Sequence, residues 1–559
     1  MTLNKAVSAF LFLFVSIICS SQPKSDSPVA PLRIPLFLTG NFGELRANHF
    51  HSGLDFKTQS KIGFPVYAFD DGYVSRVMVT AYGNGNALYI NHPNGLTTVY
   101  LHLDHFATSM DAIVENLQYK DEKFEVNHYF KENEVKVSKG EVVAFSGNSG
   151  SSAGPHLHFE VRDTKTEEVF DPIFYFRNLI KDHIAPQARQ VVIYPIHYGG
   201  VINGKMQKSF LQVANKTLRQ VPEVWGKIAL GLKAFDTKDG VSNVYGVKSV
   251  KLFVDNELIF SSKVNRYAFK NTRYINSCID YAEWRRSRST VLKSFVDPGN
   301  KIEIFENVKN SGIITINEER DYKIKYLMTD EYENSSELNF TLRGKKQAIP
   351  AVEIDCKNKL FCSQKSSFKT AKVHFDLPAG VLYDDLCFNY SAVPSASFYS
   401  DIHTLHNPEV PINDFCSLEI KLDVDTLKDK SKYYLARLTG KSPVYQKSQY
   451  AKGWMKGVMR EFGDYTVAAD FKAPSIMPLK LALSQNRIEF RIGDQGSGVA
   501  SYKCTIDNQF ALFSFDSKRG VIFCKLSPKH VLPKQNHLLK LVVRDFCQNE
   551  TVFEEQFYW

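Results

Sequence analysis

The stretch Gly154-Pro155-His156-Leu157-His158-Phe159-Glu160-Val161-Arg162-Asp163 alternates polar and apolar side chains, and an extended strand sends such alternating residues to opposite faces. Leu157, Phe159 and Val161 are then expected in a core, while His156, His158 and Glu160 share the other face. Two imidazoles on one rigid face are what a metal site with a neighbouring base requires. For one H-x-H pair taken alone, a plain polar sheet face is the competing reading.

Two further stretches supply what that strand lacks. In His49-Phe50-His51-Ser52-Gly53-Leu54-Asp55-Phe56 an imidazole and a carboxylate stand four residues apart. Gly53 argues against a regular helix and for a bend into a strand. Leu54 and Phe56 can anchor in the core while Asp55 faces the other way. His51, Asp55 and His158 together make a His2Asp set with an open fourth position, the pattern of catalytic rather than structural zinc. From Leu96 to Leu103, alternation puts Thr98, Tyr100 and His102 on one face and Val99, Leu101 and Leu103 on the other. His102 is therefore expected to face the same groove. Eight of the fifteen histidines lie between His49 and His158, which locates the site here. Of these, His49, His92 and His105 read as supporting or surface residues.

A chain of 559 residues is too long for one core and divides into roughly three or four domains. The expected class is mainly β, with an antiparallel unit over 30–180 punctuated by turns such as Pro93-Asn94-Gly95. An internal repeat follows. Asp182-His183-Ile184-Ala185-Pro186 is echoed by Asp470-Phe471-Lys472-Ala473-Pro474, and Asp330 with Asn334 by Asp545 with Asn549. Both copies, 182–345 and 470–559, read as β-sandwiches of immunoglobulin-like type, the first with an insertion near 265–315. Residues 346–469 read as a β-rich domain of unassigned type.

The start of the chain reads as a secretory signal peptide over 1–21, with Lys5 before the apolar run Ala9 to Ile18. Bulky Ile18 before Cys19 argues against lipid anchoring. No later apolar run reaches the roughly 20 residues of a spanning helix. Eight cysteines remain beyond the leader, and an exported compartment permits disulfides. Pairs such as Cys356 with Cys362, Cys387 with Cys416 and Cys504 with Cys524 are compatible with the spacing, which does not fix connectivity. A net charge of +9 is mild for this length, and Arg285, Arg286 and Arg288 read as a solvated loop or strand edge rather than a nucleic-acid surface.

His51-x-x-x-Asp55, Tyr100-Leu101-His102-Leu103 and Gly154-Pro155-His156-Leu157-His158-Phe159-Glu160 resemble the three signatures of the lysostaphin-type (LytM-like) zinc endopeptidases of peptidoglycan. The stretches IGFPVYAFDDGYVSRV and KGEVVAFSGNSGSSAGPHLHF resemble that family as well, over about residues 40 to 165. The resemblance implies zinc ligands His51, Asp55 and His158, one Zn2+ per chain, and His102 and His156 as catalytic histidines that do not bind the metal. It further implies export to the periplasm or cell envelope and hydrolysis of peptide cross-links in peptidoglycan, with D-alanyl–diaminopimelate bridges favoured over glycine bridges. An envelope protein could dock on the β-sandwich modules. A catalytically silent wall-binding regulator is the main alternative, and a protein-directed metallopeptidase a third, lowered by the missing H-E-x-x-H helix. One departure from the family pattern stands out: residues 107 to 133 intervene where a short loop is usual, and this insertion is expected to border the substrate groove.

Overall fold

The structure is a computed structural model that describes residues 28–559 except 354 and 483–485. The expected leader over 1–21, with Cys19, lies outside the described residues. The chain is mainly β, and no helix among the described residues is long and apolar enough to cross a membrane.

The N-terminal sheet contains strands β1 (Leu38–Gly40), β2 (Leu54–Lys57), β3 (Gly72–Val79), β4 (Asn86–Asn91), β5 (Leu96–Leu103), β6 (Val126–Tyr129) and β7 (His156–Asp163). Their order is β1-β2-β7-β5-β4-β3-β6, and every neighbouring pair is antiparallel. Alternation along β7 sends Leu157, Phe159 and Val161 into the main core with Phe56, Phe69 and Tyr100. The opposite face of β7 carries His156, His158 and Glu160. Gly53, just before β2, lies so close to β7 that a Cβ there would sit 2.1 Å from the Phe159 carbonyl oxygen. Any side chain would push β2 away from β7.

This sheet does not end near residue 180. Strand β8 (Glu168–Phe170) pairs with β7, and β9 (Arg266–Ala268) pairs with β8. Tyr267, Tyr274, Ile275 and Ile304 join the same core. Part of the stretch expected to be an insertion in the downstream sandwich therefore completes the N-terminal sheet. Helix α1 (Thr108–Asp121) occupies the 107 to 133 segment and buries Met110, Val114 and Gln118.

Downstream, the long strands Gln187–Ile202 and Glu223–Thr237 anchor one twelve-stranded sheet, joined through a short parallel pairing of Val224 with Gly344. Two five-stranded sheets then enclose a second core around Phe375, Leu418, Leu435 and Phe462. The last module packs two four-stranded sheets face to face over Phe490, Ile522, Cys504 and Leu541.

The cysteines depart from the pairs named from spacing. Cys356 is bonded to Cys387, and Cys362 and Cys416 are free and buried. Cys504 and Cys524 share a core but stay unbonded. The bonded pair is brought together by the antiparallel pairing of Lys359–Leu360 with Leu386–Cys387, a contact that spacing does not reveal.

Candidate metal and catalytic site

His51, Asp55 and His158 converge at one point. Asp55 stands directly opposite His158 across β2 and β7, and facing residues of an antiparallel pair share a face. His158 Nδ1 lies 2.8 Å from Asp55 Oδ1, His51 Nε2 lies 3.0 Å from the same oxygen, and the two ring nitrogens are 3.0 Å apart. All three residues are buried.

Hydrogen bonds on the far side of each ring fix which atom faces the centre. His51 Nδ1 is 2.6 Å from the carbonyl oxygen of Asn41, which can only accept, so Nδ1 carries the proton and Nε2 presents a lone pair. His158 Nε2 donates in the same way to Glu160 Oε1 at 3.0 Å. Three atoms with lone pairs thus meet with room for one cation among them. A tetrahedral zinc with ligand bonds near 2.0–2.1 Å sets its ligands roughly 3.3 Å apart, close to the separations seen. The donor set fits zinc.

The electrostatics follow from this packing. Burial alone would raise the Asp55 carboxyl, but the rings of His51, His156 and His158 hold it well below the usual carboxylate range. Burial opposes charge on His158 too, yet Asp55 and Glu160 raise it to about 9. Glu160, only 1% exposed, accepts from Ser52 Oγ and from Arg162 Nε. Despite its burial, Arg162 and His158 bring it down to about 2. A carboxylate that accepts from the far N–H of a ligand imidazole fixes that ring's orientation and basicity.

His102 reaches the groove by a route that alternation does not give. His158 faces Leu101 and Glu160 faces Val99, so the groove side of β5 is that of Val99 and Leu101. Tyr100 points into the core, its hydroxyl accepting from Phe69 N–H at 2.9 Å. The expected sharing of one face by Thr98, Tyr100 and His102 is therefore corrected: His102 has a left-handed backbone, φ 60°, where β4 and β5 slip register, and this twist turns the ring out. His102 Nδ1 lies 3.0 Å from the Ser149 carbonyl oxygen. Burial, with His158 and His156 nearby, lowers its pKa to about 3. His156 Nδ1 lies 2.9 Å from the Gly154 carbonyl and 3.2 Å from Ser152 Oγ. The His102 and His156 ring centres are 5.0 Å apart.

These five residues line one groove of about 780 Å³. His49 lines it as well, exposed, with Nδ1 on the Ala47 carbonyl. Phe269 and Thr272 form part of the wall, Thr272 Oγ1 accepting from Phe50 N–H at 2.8 Å. Nothing in the spacing of the sequence announced them. The 107 to 133 insertion does not border the groove. Its helix α1 faces the C-terminal module instead, with Tyr119 stacked on His530 at 3.8 Å and Glu115 Oε1 2.9 Å from His530 Nε2. His92 is spent in the core on Asp71 O and Thr98 Oγ1, and His105 pairs with Asp104 at the surface.

Residues 357–470, the segment without an assignable motif, match a Zu5-like domain. The chain is 34% identical over 112 residues to the DD-carboxypeptidase/endopeptidase Mpg of Neisseria meningitidis, covering 20% of each protein. It is 35% identical over 111 residues to the peptidoglycan DD-endopeptidase ShyB of Vibrio cholerae, again 20% of each. The aligned stretch is thus about a fifth of the length of these relatives. Among solved structures, a zinc-containing peptidase from Vibrio cholerae is similar over 23% of this chain and 35% of its own, at 32% identity and TM-score 0.18. Residues 49–119, which include His51, Asp55 and His102, match peptidase family M23, and the chain carries a peptidase domain of that family.

Proposed function

We propose that this protein is an exported zinc metalloendopeptidase that hydrolyses peptide cross-links of bacterial peptidoglycan in the periplasm or cell envelope. The observation that carries the reading is the convergence of His51 Nε2, Asp55 Oδ1 and His158 Nδ1 within 3.0 Å, with the outer nitrogen of each ring already committed. Zinc held by these three atoms would acidify a water to a pKa near 7 and polarise a scissile carbonyl.

The chain's own groups do the rest. The Ser149 carbonyl keeps the proton of His102 on Nδ1, so Nε2 offers a lone pair to the groove. Low basicity keeps this ring neutral at physiological pH. His156, oriented by Gly154 O and Ser152 Oγ, likewise turns Nε2 inward, 3.4 Å from Asp55 Oδ1. The pair is placed to take a proton from the attacking water and to return one to the leaving amine. Relatives named as peptidoglycan DD-endopeptidases support peptidoglycan as the substrate class. The modules beyond the peptidase domain offer surface for an envelope protein.

The test is incubation of the full chain, loaded with one zinc, with purified sacculi, followed by mass spectrometry of the released muropeptides. New amino termini at cross-links support the reading. Bound zinc with intact sacculi would favour a wall-binding regulator.

A further inference from the structure

The last module grips the loop that orients both non-ligand histidines. Lys518 Nζ donates to the carbonyl and to the side-chain oxygen of Asn148, the latter at 2.8 Å, although the two residues are 370 apart in sequence. Asn148 precedes Ser149, whose carbonyl accepts from His102 Nδ1. The same loop continues through Ser152 and Gly154, which hold His156 Nδ1.

A second loop is clamped beside it. Ser517 Oγ donates to Ala81 O, and Tyr82 meets Phe515 edge to face at 6.0 Å. Ser151 N–H donates to Gly83 O and Gly83 N–H to Ser151 Oγ, both at 2.9 Å. Asn84 O accepts from His102 N–H at 3.0 Å. Gly150, at φ 67°, approaches so closely that a Cβ there would lie 2.3 Å from Gly85 N. The left-handed turn at His102 thus rests on two loops, and both are held from outside by residues 515 to 518.

We propose that Lys518 is a positioning residue for His102 and His156, through which the C-terminal module supports the catalytic groove from outside. The proposal rests on the peptidase reading above. Loops freed from Lys518 and Ser517 would let the His102 ring turn, and small misplacements of catalytic groups cost up to about a hundredfold in rate.

The test uses full-length, zinc-loaded protein. Lys518→Ala is expected to keep one zinc per chain and an unchanged KM for a cross-linked muropeptide, while kcat falls about 10- to 100-fold. Lys518→Arg should restore most of kcat. Lys503→Ala, which cuts only the ion pair to Glu122 beyond α1, should match wild type and so separates positioning from docking. Nitrogen-15 NMR of the His102 ring supplies a readout independent of turnover: wild type should show the Nδ1–H tautomer, and Lys518→Ala a mixture. Wild-type kcat together with an unaltered tautomer in Lys518→Ala would overturn the proposal. A wild-type chain that cleaves no muropeptide would instead overturn the peptidase reading, while the tautomer still decides whether Lys518 positions His102.

Discussion

His158 Nδ1 lies 2.8 Å from Asp55 Oδ1 because the two residues stand directly opposite each other on paired antiparallel strands. Backbone register therefore sets their spacing, and Gly53 sets how closely the strands approach. Rigid elements of this kind hold a metal site more tightly than loops do. Phe50, Leu54 and Phe56, all buried, fix the bend that brings His51 to the same point.

Glu160 should act on the metal through His158 alone. Glu160→Gln keeps the side-chain shape and removes the charge that His158 Nε2–H meets. Zinc affinity is expected to fall about 10- to 100-fold, with the circular dichroism spectrum unchanged, as read by competition with a fluorescent chelator. An unchanged affinity would show that the Glu160 contact does not tune the site.

His102→Ala should separate chemistry from metal binding. His102 makes no hydrogen bond to His51, Asp55 or His158 among those described, so the variant should bind one zinc per chain. Its kcat should drop about 10²- to 10⁴-fold, the range expected for removal of a general acid or base. Loss of zinc from this variant would instead make His102 a ligand.

Asp236 gives a pH dependence whose direction is fixed. It is 1% exposed, and neither carboxylate oxygen has a hydrogen-bond donor. Nearby Lys238 binds Asp182 and Glu331 more closely, at 3.0 and 2.9 Å. Burial, aided by the neighbouring acids and only partly offset by Lys238, raises Asp236 from 3.8 to about 8. The folded chain then binds more protons than the unfolded one between about pH 4 and 8, so stability falls as pH rises, by at most about 1.4 kcal/mol per pH unit. Asp236→Asn should flatten the decline of Tm across that window and raise Tm at pH 8. Parallel curves for variant and wild type would contradict this.

The Cys356–Cys387 bond closes a loop with a sequence separation of 31, for which chain entropy predicts roughly 3–4 kcal/mol of stabilisation. Reduction with dithiothreitol should lower the Tm of the transition that contains residues 357–470. Peptide mapping of the oxidised protein should find this one linkage, with Cys504 and Cys524 alkylated after denaturation. A Cys356–Cys362 or Cys387–Cys416 peptide would overturn the pairing.

The sequence made β7 legible because strict alternation has few other solutions, and His156, His158 and Glu160 share its face as expected. His51 and Asp55 were legible as a pair because Gly53 marks the bend between them. His102 reaches the groove for a reason alternation could not supply, since a left-handed residue at a register slip turns its ring. Phe269, Thr272 and Lys518 were invisible because their contacts cross hundreds of residues. The insertion was legible as an insertion but not as a docking platform: Tyr119 meets His530 only once the last module has folded against α1. Cysteine spacing misled for a similar reason, because strand pairing chooses disulfide partners.

The most direct test is one experiment on the full chain in which wild type, His158→Ala and His102→Ala are compared for bound zinc and for cross-linked muropeptide cleaved. The account predicts one zinc and cleavage in wild type, neither in His158→Ala, and one zinc with little cleavage in His102→Ala. A His158→Ala chain that binds zinc and cleaves as wild type does would contradict it.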